Sequence, residues 1–270
     1  MRLEVVPDAD ALAARAAEWL SAVARADVAA RGRFVVGVSG GRTPGVAFRR
    51  FAGRHDVPWA RVVIVQIDER LAPDGHPDRN RTDQLVAFAS ALDRGARFVG
   101  LAAGADLRDD DRLARSRAAL QRAAGRPPTL DVAQLGLGED GHTASLVSGD
   151  PALDAELPET VALTREYRGR RRLTVTARVL SAARRRLWLV SGSGKADVLP
   201  RLLAGDATIP AGRVNPGGAT VLADTEAAIA LPASARRSGV SPDRRGTRSR
   251  GANRRPSAGR RPSRSRPPGN

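Results

Sequence analysis

Short apolar runs of strand length alternate with amphipathic stretches of helical period over residues 8–222, and the runs tend to end on glycine-rich turns. Residues 8–30 carry Leu12, Ala16, Trp19, Leu20 and Val23 at three- and four-residue spacing, with Asp8 placed to cap a helix. Arg33–Val38 is a buried-strand pattern broken by Ser39-Gly40-Gly41, and Pro44 is placed to open the next helix. Arg61–Ile67 and Leu130–Leu135 repeat the strand pattern, with helical stretches over 81–92 and 106–124 between them. Leu173–Thr176 and Leu187–Val190 read as further strands, 194–204 as a helix, and Val221-Leu222 as a last short strand. Such alternation predicts an α/β fold: a mostly parallel open sheet flanked by helices in a single domain. In sheets of that kind the site lies beyond the carboxyl ends of the strands.

With 270 residues, 41% of them hydrophobic, the chain can bury a sizeable core. It has no cysteine, which excludes a disulfide scaffold, thiolate–metal ligation and a cysteine nucleophile. No apolar run is long enough to span a bilayer, and the first twenty residues carry Glu4, Asp8 and Asp10 in place of an apolar targeting core. A cytoplasmic protein without membrane contact is expected. The net charge of +16 is local: twelve arginines and one aspartate lie between Arg236 and Asn270, so eleven of the positive charges belong to that end. The α/β domain is therefore expected over 1–232, followed by a disordered Arg/Ser/Pro-rich tail over 233–270. If nucleic acid is a partner, it is so only through that tail. Of the 45 basic side chains only Lys195 is a lysine, so one position kept an ammonium in an arginine-biased chain.

Five segments carry groups suited to chemistry. Ser39-Gly40-Gly41-Arg42-Thr43-Pro44 has the make-up of a phosphate cradle, with close backbone N–H groups, a helix N-terminus and hydroxyl donors. Gly37-Val38-Ser39-Gly40-Gly41 also satisfies the serine-hydrolase pattern G-x-S-x-G, a motif that arises easily in a glycine-rich chain. Gly136-Leu137-Gly138-Glu139-Asp140-Gly141-His142 matches G-x-G-x-x-G, yet Glu139 and Asp140 would oppose a pyrophosphate there. His142 beside Asp140 instead has the setting of a general base held by a carboxylate, whereas His55 and His76 lie in polar loop sequence. Asp68-Glu69-Arg70 offers a carboxylate and an anion-binding cation at a strand end. Arg172 opens a strand, and Gly194-Lys195 opens a helix without completing a Walker motif.

Together these segments resemble the 6-phosphogluconolactonase family, whose fold is that of glucosamine-6-phosphate deaminase. The matching pieces are Ser39–Pro44, Asp68–Arg70, Asn80, Gly136–Leu146, Arg172–Thr176 and Gly194-Lys195, in the family's order. The resemblance implies that His142, Asp68 and Asp140 are catalytic, with Asp140 or Glu139 orienting the imidazole. It also implies that Ser39, Gly40, Gly41, Thr43, Arg70, Arg172 and Lys195 gather round a substrate phosphate. Asp68 corresponds to the proton acceptor of the related deaminases. Two departures stand out: Arg79 where the family usually has Ser, and Val147-Ser148-Gly149 where Phe-Pro-Gly is usual.

The implied reaction is hydrolysis of 6-phospho-D-glucono-1,5-lactone to 6-phospho-D-gluconate, with a monomeric enzyme, a phosphosugar lactone as partner, and neither metal nor cofactor. At Gly141-His142 and the residues after it, deaminases typically carry Gly-His-Ile-Ala-Phe-Asn-Glu. Here Thr143-Ala144-Ser145-Leu146 supplies no such glutamate, which favours the lactonase. The other readings are a deaminase or isomerase of the same fold, a serine esterase acting through Ser39, and a sugar-phosphate-binding protein without catalysis.

Overall fold

The computed structural model describes residues 1–104, 106–153 and 159–236. In chain order its strands and α-helices are β1 (Arg2–Val6), α1 (Ala9–Arg31), β2 (Phe34–Val38), α2 (Arg42–Ala52), β3 (Val62–Gln66), β4 (Asp68–Arg70) and α3 (Asn80–Leu92). They continue as β5 (Arg97–Val99), α4 (Asp109–Ala124), β6 (Val132–Gly136), β7 (Val161–Leu163), β8 (Arg172–Val175) and α5 (Ala177–Ala182). The last are β9 (Arg185–Val190), α6 (Val198–Leu203), β10 (Ala219–Asp224) and the single turn α7 (Ala233–Arg236). The described residues fall in one compact unit, bounded Met1–Val240. The disordered tail expected over 233–270 is corrected at its start, where Ala233–Arg236 forms α7; the rest of it, with its expected disorder and nucleic-acid contacts, lies outside the described residues.

Seven strands form one sheet in the order β1-β10-β9-β6-β2-β3-β5, all paired in parallel. Both faces are covered, which is why β2 and β3 are buried throughout and read as near-continuous apolar runs. Strand alternation divides them between two cores. Phe34, Val36 and Val38 pack with Leu12, Leu20, Phe48, Phe51 and Phe88 from α1, α2 and α3. Val35, Val63 and Val65 turn the other way, toward Leu120 of α4, Trp188 and Leu199. Asp8 caps α1 as its position suggests, accepting from the Ala11 N–H at 2.8 Å.

The structure differs from the sequence pattern in three places. Leu173–Thr176 is not a strand of the parallel sheet: β8 lies in a separate antiparallel sheet, β4-β8-β7. A four-residue buried strand carries no mark of which sheet it joins. The helix expected over 194–204 is broken into a 3-10 turn, Ser193–Lys195, and α6. Pro200 has no N–H to give the carbonyl of residue 196, so one helix cannot run through both. β1, β4, β5 and β7 lie outside the strands read from the sequence, each being short or on a sheet edge.

The sheet order also fixes where a site can form. From β2 the chain runs outward to β3, whereas from β6 it passes to β9 on the other side. The carboxyl ends of the adjacent strands β2 and β6 therefore face a crevice that no crossover covers. The two glycine-rich segments leave the sheet there.

Candidate active site

The loop after β2 leads straight into α2. Gly41 stands before the first turn at φ 119°, a conformation glycine adopts readily and other residues resist. No side chain caps the helix, so its first N–H groups are left for an outside acceptor. Ser39 is buried and tied down by a neighbour in β6: its backbone N–H and Oγ both donate to Gln134 Oε1, at 3.1 and 2.9 Å. An amide oxygen is no base, so Ser39 lacks the activation a serine nucleophile requires. The G-x-S-x-G match is a turn motif here.

The loop after β6 carries the imidazole. His142 Nδ1 lies 2.5 Å from Asp140 Oδ1, and the His142 backbone N–H reaches the same oxygen at 3.3 Å. Gly138 makes room for the pair, since a Cβ there would collide with the His142 ring and with Asp140. Burial alone pushes the Asp140 carboxyl up, but hydrogen bonds from Tyr167 and His142 outweigh it and hold the group at about 2. Glu139 does not share this task. It points toward Lys195, with Oε1 3.9 Å from the ammonium. Ala144, two residues past the histidine, holds φ 48°, a left-handed conformation unusual for a residue with a Cβ.

The Asp68-Glu69-Arg70 triplet forms β4, and strand alternation splits it. Glu69 is fully buried and turns toward α3, accepting from the N–H groups of Asn80 and Arg81 at 2.8 and 2.9 Å and from Gln66 Nε2 at 2.9 Å. It thereby caps α3 from a neighbouring strand. Arg79 pairs with it at 3.1 Å and reaches Ala72 O and Asp74, giving the departure at Arg79 a place in the loop's packing. Asp68 and Arg70 turn the other way, into a cleft. Asp68 accepts from Ser145 Oγ at 3.0 Å, while its other oxygen is buried without a hydrogen-bond partner. Burial lifts its carboxyl above the ordinary range; the Ser145 bond opposes this and the charge of Glu69 adds to it.

Arg172 stands opposite Arg70 across the β4–β8 pair. It is 7% exposed and its Nε has no hydrogen-bond partner. Burial pushes its guanidinium down from the ordinary value, and the charge of Arg70 acts in the same direction. The charge of Asp68 opposes both effects, and two guanidinium groups in one register position favour an anion between them. Lys195 ends the 3-10 turn after β9, on a loop fixed by Asp224, which accepts from Ser191 Oγ at 2.5 Å and from the Gly192 N–H at 3.0 Å.

All these segments line one cleft of about 510 Å³. Ser39, Gly40, Gly41, Thr43, Asp68, Arg70, His142, Arg172 and Lys195 are on its wall, and Asp140 stands behind His142. Asn80 joins them, its Nδ2 donating to the Asp68 carbonyl at 3.1 Å. Three residues that shape the site escape the sequence reading: Gln134, Asp224 and Tyr167. The first two are buried polar residues inside strands that otherwise read as apolar. Tyr167 carried a signal of its own, being the sole tyrosine of the chain.

Among the described residues no group of three His, Asp or Glu side chains is placed to hold a metal ion, and no helix is long and apolar enough to cross a membrane. The family model for glucosamine-6-phosphate isomerases/6-phosphogluconolactonase matches residues 7–223. The chain belongs to that family. Within the glucosamine-6-phosphate isomerase/6-phosphogluconolactonase family, it is 36% identical over 214 residues to a 6-phosphogluconolactonase of Pseudomonas putida, covering 76% of this chain and 85% of that one. A 6-phosphogluconolactonase structure from Trypanosoma brucei superposes with a TM-score of 0.74 at 21% identity, over 86% of this chain and 98% of the other. A monomeric glucosamine-6-phosphate deaminase superposes with a TM-score of 0.71 at 19% identity, over 85% and 100%. The α/β architecture is thus the one shared by lactonases and deaminases in this family.

Proposed function

We propose that this chain hydrolyses 6-phospho-D-glucono-1,5-lactone to 6-phospho-D-gluconate, the second step of the oxidative pentose phosphate route. The observation that carries the reading is the joint occupancy of one cleft by a carboxylate-held imidazole and by Arg70, Arg172, Lys195 and the turn before α2. The 6-phosphate, with a charge of about −1.5 to −2 near neutrality, takes the cationic end. Ser39, Gly40, Gly41 and Thr43 supply donors, and Arg70, Arg172 and Lys195 supply charge. Anchoring that end makes binding energy far from the reacting carbon available to position it.

With Nδ1 turned to Asp140, the Nε2 of His142 is the free basic nitrogen. It takes a proton from water as the water oxygen bonds to C1, and Asp140 stabilises the imidazolium that results. When the tetrahedral intermediate collapses, the C1–ring-oxygen bond breaks and His142 returns the proton to the departing oxygen. The products are the open-chain carboxylic acid and a neutral imidazole. Asp68, raised by burial and with one oxygen unpartnered, is suited to exchange a proton or hydrogen bond with the sugar. A cytoplasmic location accords with the reading.

The deaminase alternative has less support, because buried Val147 follows Leu146 and the segment brings no glutamate to the histidine. The deciding measurement is lactone hydrolysis coupled to dehydrogenation of the product, timed against spontaneous ring opening, beside ammonia release from glucosamine 6-phosphate. Acceleration of the first with none of the second is expected. The reverse result overturns the proposal.

A further inference from the structure

We propose that Tyr167 is a positioning residue that locks the Asp140–His142 pair and ties it to the phosphate-binding cation Arg172. The proposal rests on the lactonase reading and adds a residue to it. Tyr167 lies on the arm between β7 and β8, where it pairs with Arg170 across a tight turn. The two turn residues, Arg168 and Gly169, hold φ 51° and 74°, the conformation of hairpin turns that match strand twist. The arm is pinned from outside. Arg170 donates twice to Asp78 Oδ2, at 2.9 and 3.0 Å, Arg171 donates to Asp109 at 2.9 Å, and the Arg165 N–H donates to Asp150 at 2.8 Å.

From that arm the Tyr167 hydroxyl donates to Asp140 Oδ2 at 2.8 Å. The other carboxylate oxygen is the one on His142, so the two bonds together fix the carboxylate plane. Such a clamp matters because the Asp140 side chain is 45% exposed and would otherwise have water as a competing partner. The ring itself touches both ends of the site. It meets the His142 ring edge-on, with centroids 5.6 Å apart and planes at 64°. It also receives the Arg172 guanidinium 5.2 Å from its centroid, and Arg168 at 5.1 Å. One side chain therefore spans from the phosphate anchor to the general base. Arg172 seated on an anion holds the ring, the ring's hydroxyl holds Asp140, and Asp140 holds the imidazole.

Two variants separate these contacts. Tyr167→Phe keeps the ring on Arg172 and His142 but removes the bond to Asp140. It should lower kcat about tenfold and leave KM within about twofold. Tyr167→Leu removes both, so the same loss in kcat should be joined by a rise in KM of about three- to fivefold. The unliganded protein supplies an independent readout. The low-field proton resonance of His142 Nδ1–H, assigned by its loss in His142→Ala, should shift in Tyr167→Phe. Unchanged kcat and an unmoved resonance in Tyr167→Phe overturn the proposal. Should the wild-type protein prove inactive on the lactone, the substrate reading fails, and the resonance still decides whether Tyr167 holds the pair.

Discussion

Arg70 and Arg172 face each other directly across the β4–β8 pair, two guanidinium side chains in one register position at the wall of the cleft. Like charges in that relation repel each other and favour an anion between them. Inorganic phosphate should therefore raise the melting temperature of the wild-type protein, and Arg172→Met should lose most of that shift. Without phosphate the same variant should melt higher than wild type, because a buried guanidinium with an unpartnered Nε has been replaced by an apolar chain of similar length. Its KM for the lactone should rise tenfold or more, roughly the loss of one charge-assisted contact. An unchanged KM would remove Arg172 from the phosphate site.

The Asp140–His142 pair sets the second expectation. His142→Ala should lower kcat by about 10²–10⁴-fold. Gly138→Ala should act through geometry alone, since its added Cβ would fall on the His142 ring and Asp140. A comparable fall in kcat with a near-native circular dichroism spectrum is expected for both, and retention of most activity by His142→Ala would falsify the general-base assignment.

Asp68 gives a prediction in pH. Its folded-state carboxyl is raised by burial, so the charged form is the one the fold disfavours. The stabilising contribution is present below the ordinary carboxylate pKa of about 3.9 and is lost as pH rises through the raised value. Asp68→Asn should match the wild type in thermal stability near pH 4 and exceed it as pH rises through the raised value, the gap levelling off once the carboxyl is ionised, while losing activity. A constant difference across that range would mean that the carboxyl is not raised.

Asp224 holds the turn that carries Lys195 without lining the cleft itself. Asp224→Ala should loosen the ammonium's position, raising KM by about three- to tenfold with a smaller effect on kcat. Equal losses in both constants would point to general unfolding of the loop.

Much of this arrangement is legible in the sequence because its signals are local. The Ser39–Pro44 turn, the run from Gly136 to His142 and the isolated Lys195 each announce a strand end or helix start, and the strand order brings those ends together. Contacts between distant segments are a different matter. Nothing near Glu69 shows that it caps α3, because its donors lie eleven and twelve residues on, beyond a loop. The choice between Asp140 and Glu139 as partner of His142 depends on side-chain direction in a turn, which spacing does not reveal. Arg172 opens a strand of a small antiparallel sheet and Tyr167 lies on the arm that joins two of its strands, which are three or four residues long, too short for a period to register.

The pleat of β4 has a consequence for how this loop can evolve. Because neighbouring residues look to opposite sides, adding one residue between Ile67 and Asp68 would turn the triplet inside out. The carboxylate that now supports α3 would face the cleft, and both cleft-facing charges would be turned toward the helix. Substitutions can be sampled singly at these positions, whereas changes in length demand that three side chains exchange roles at once.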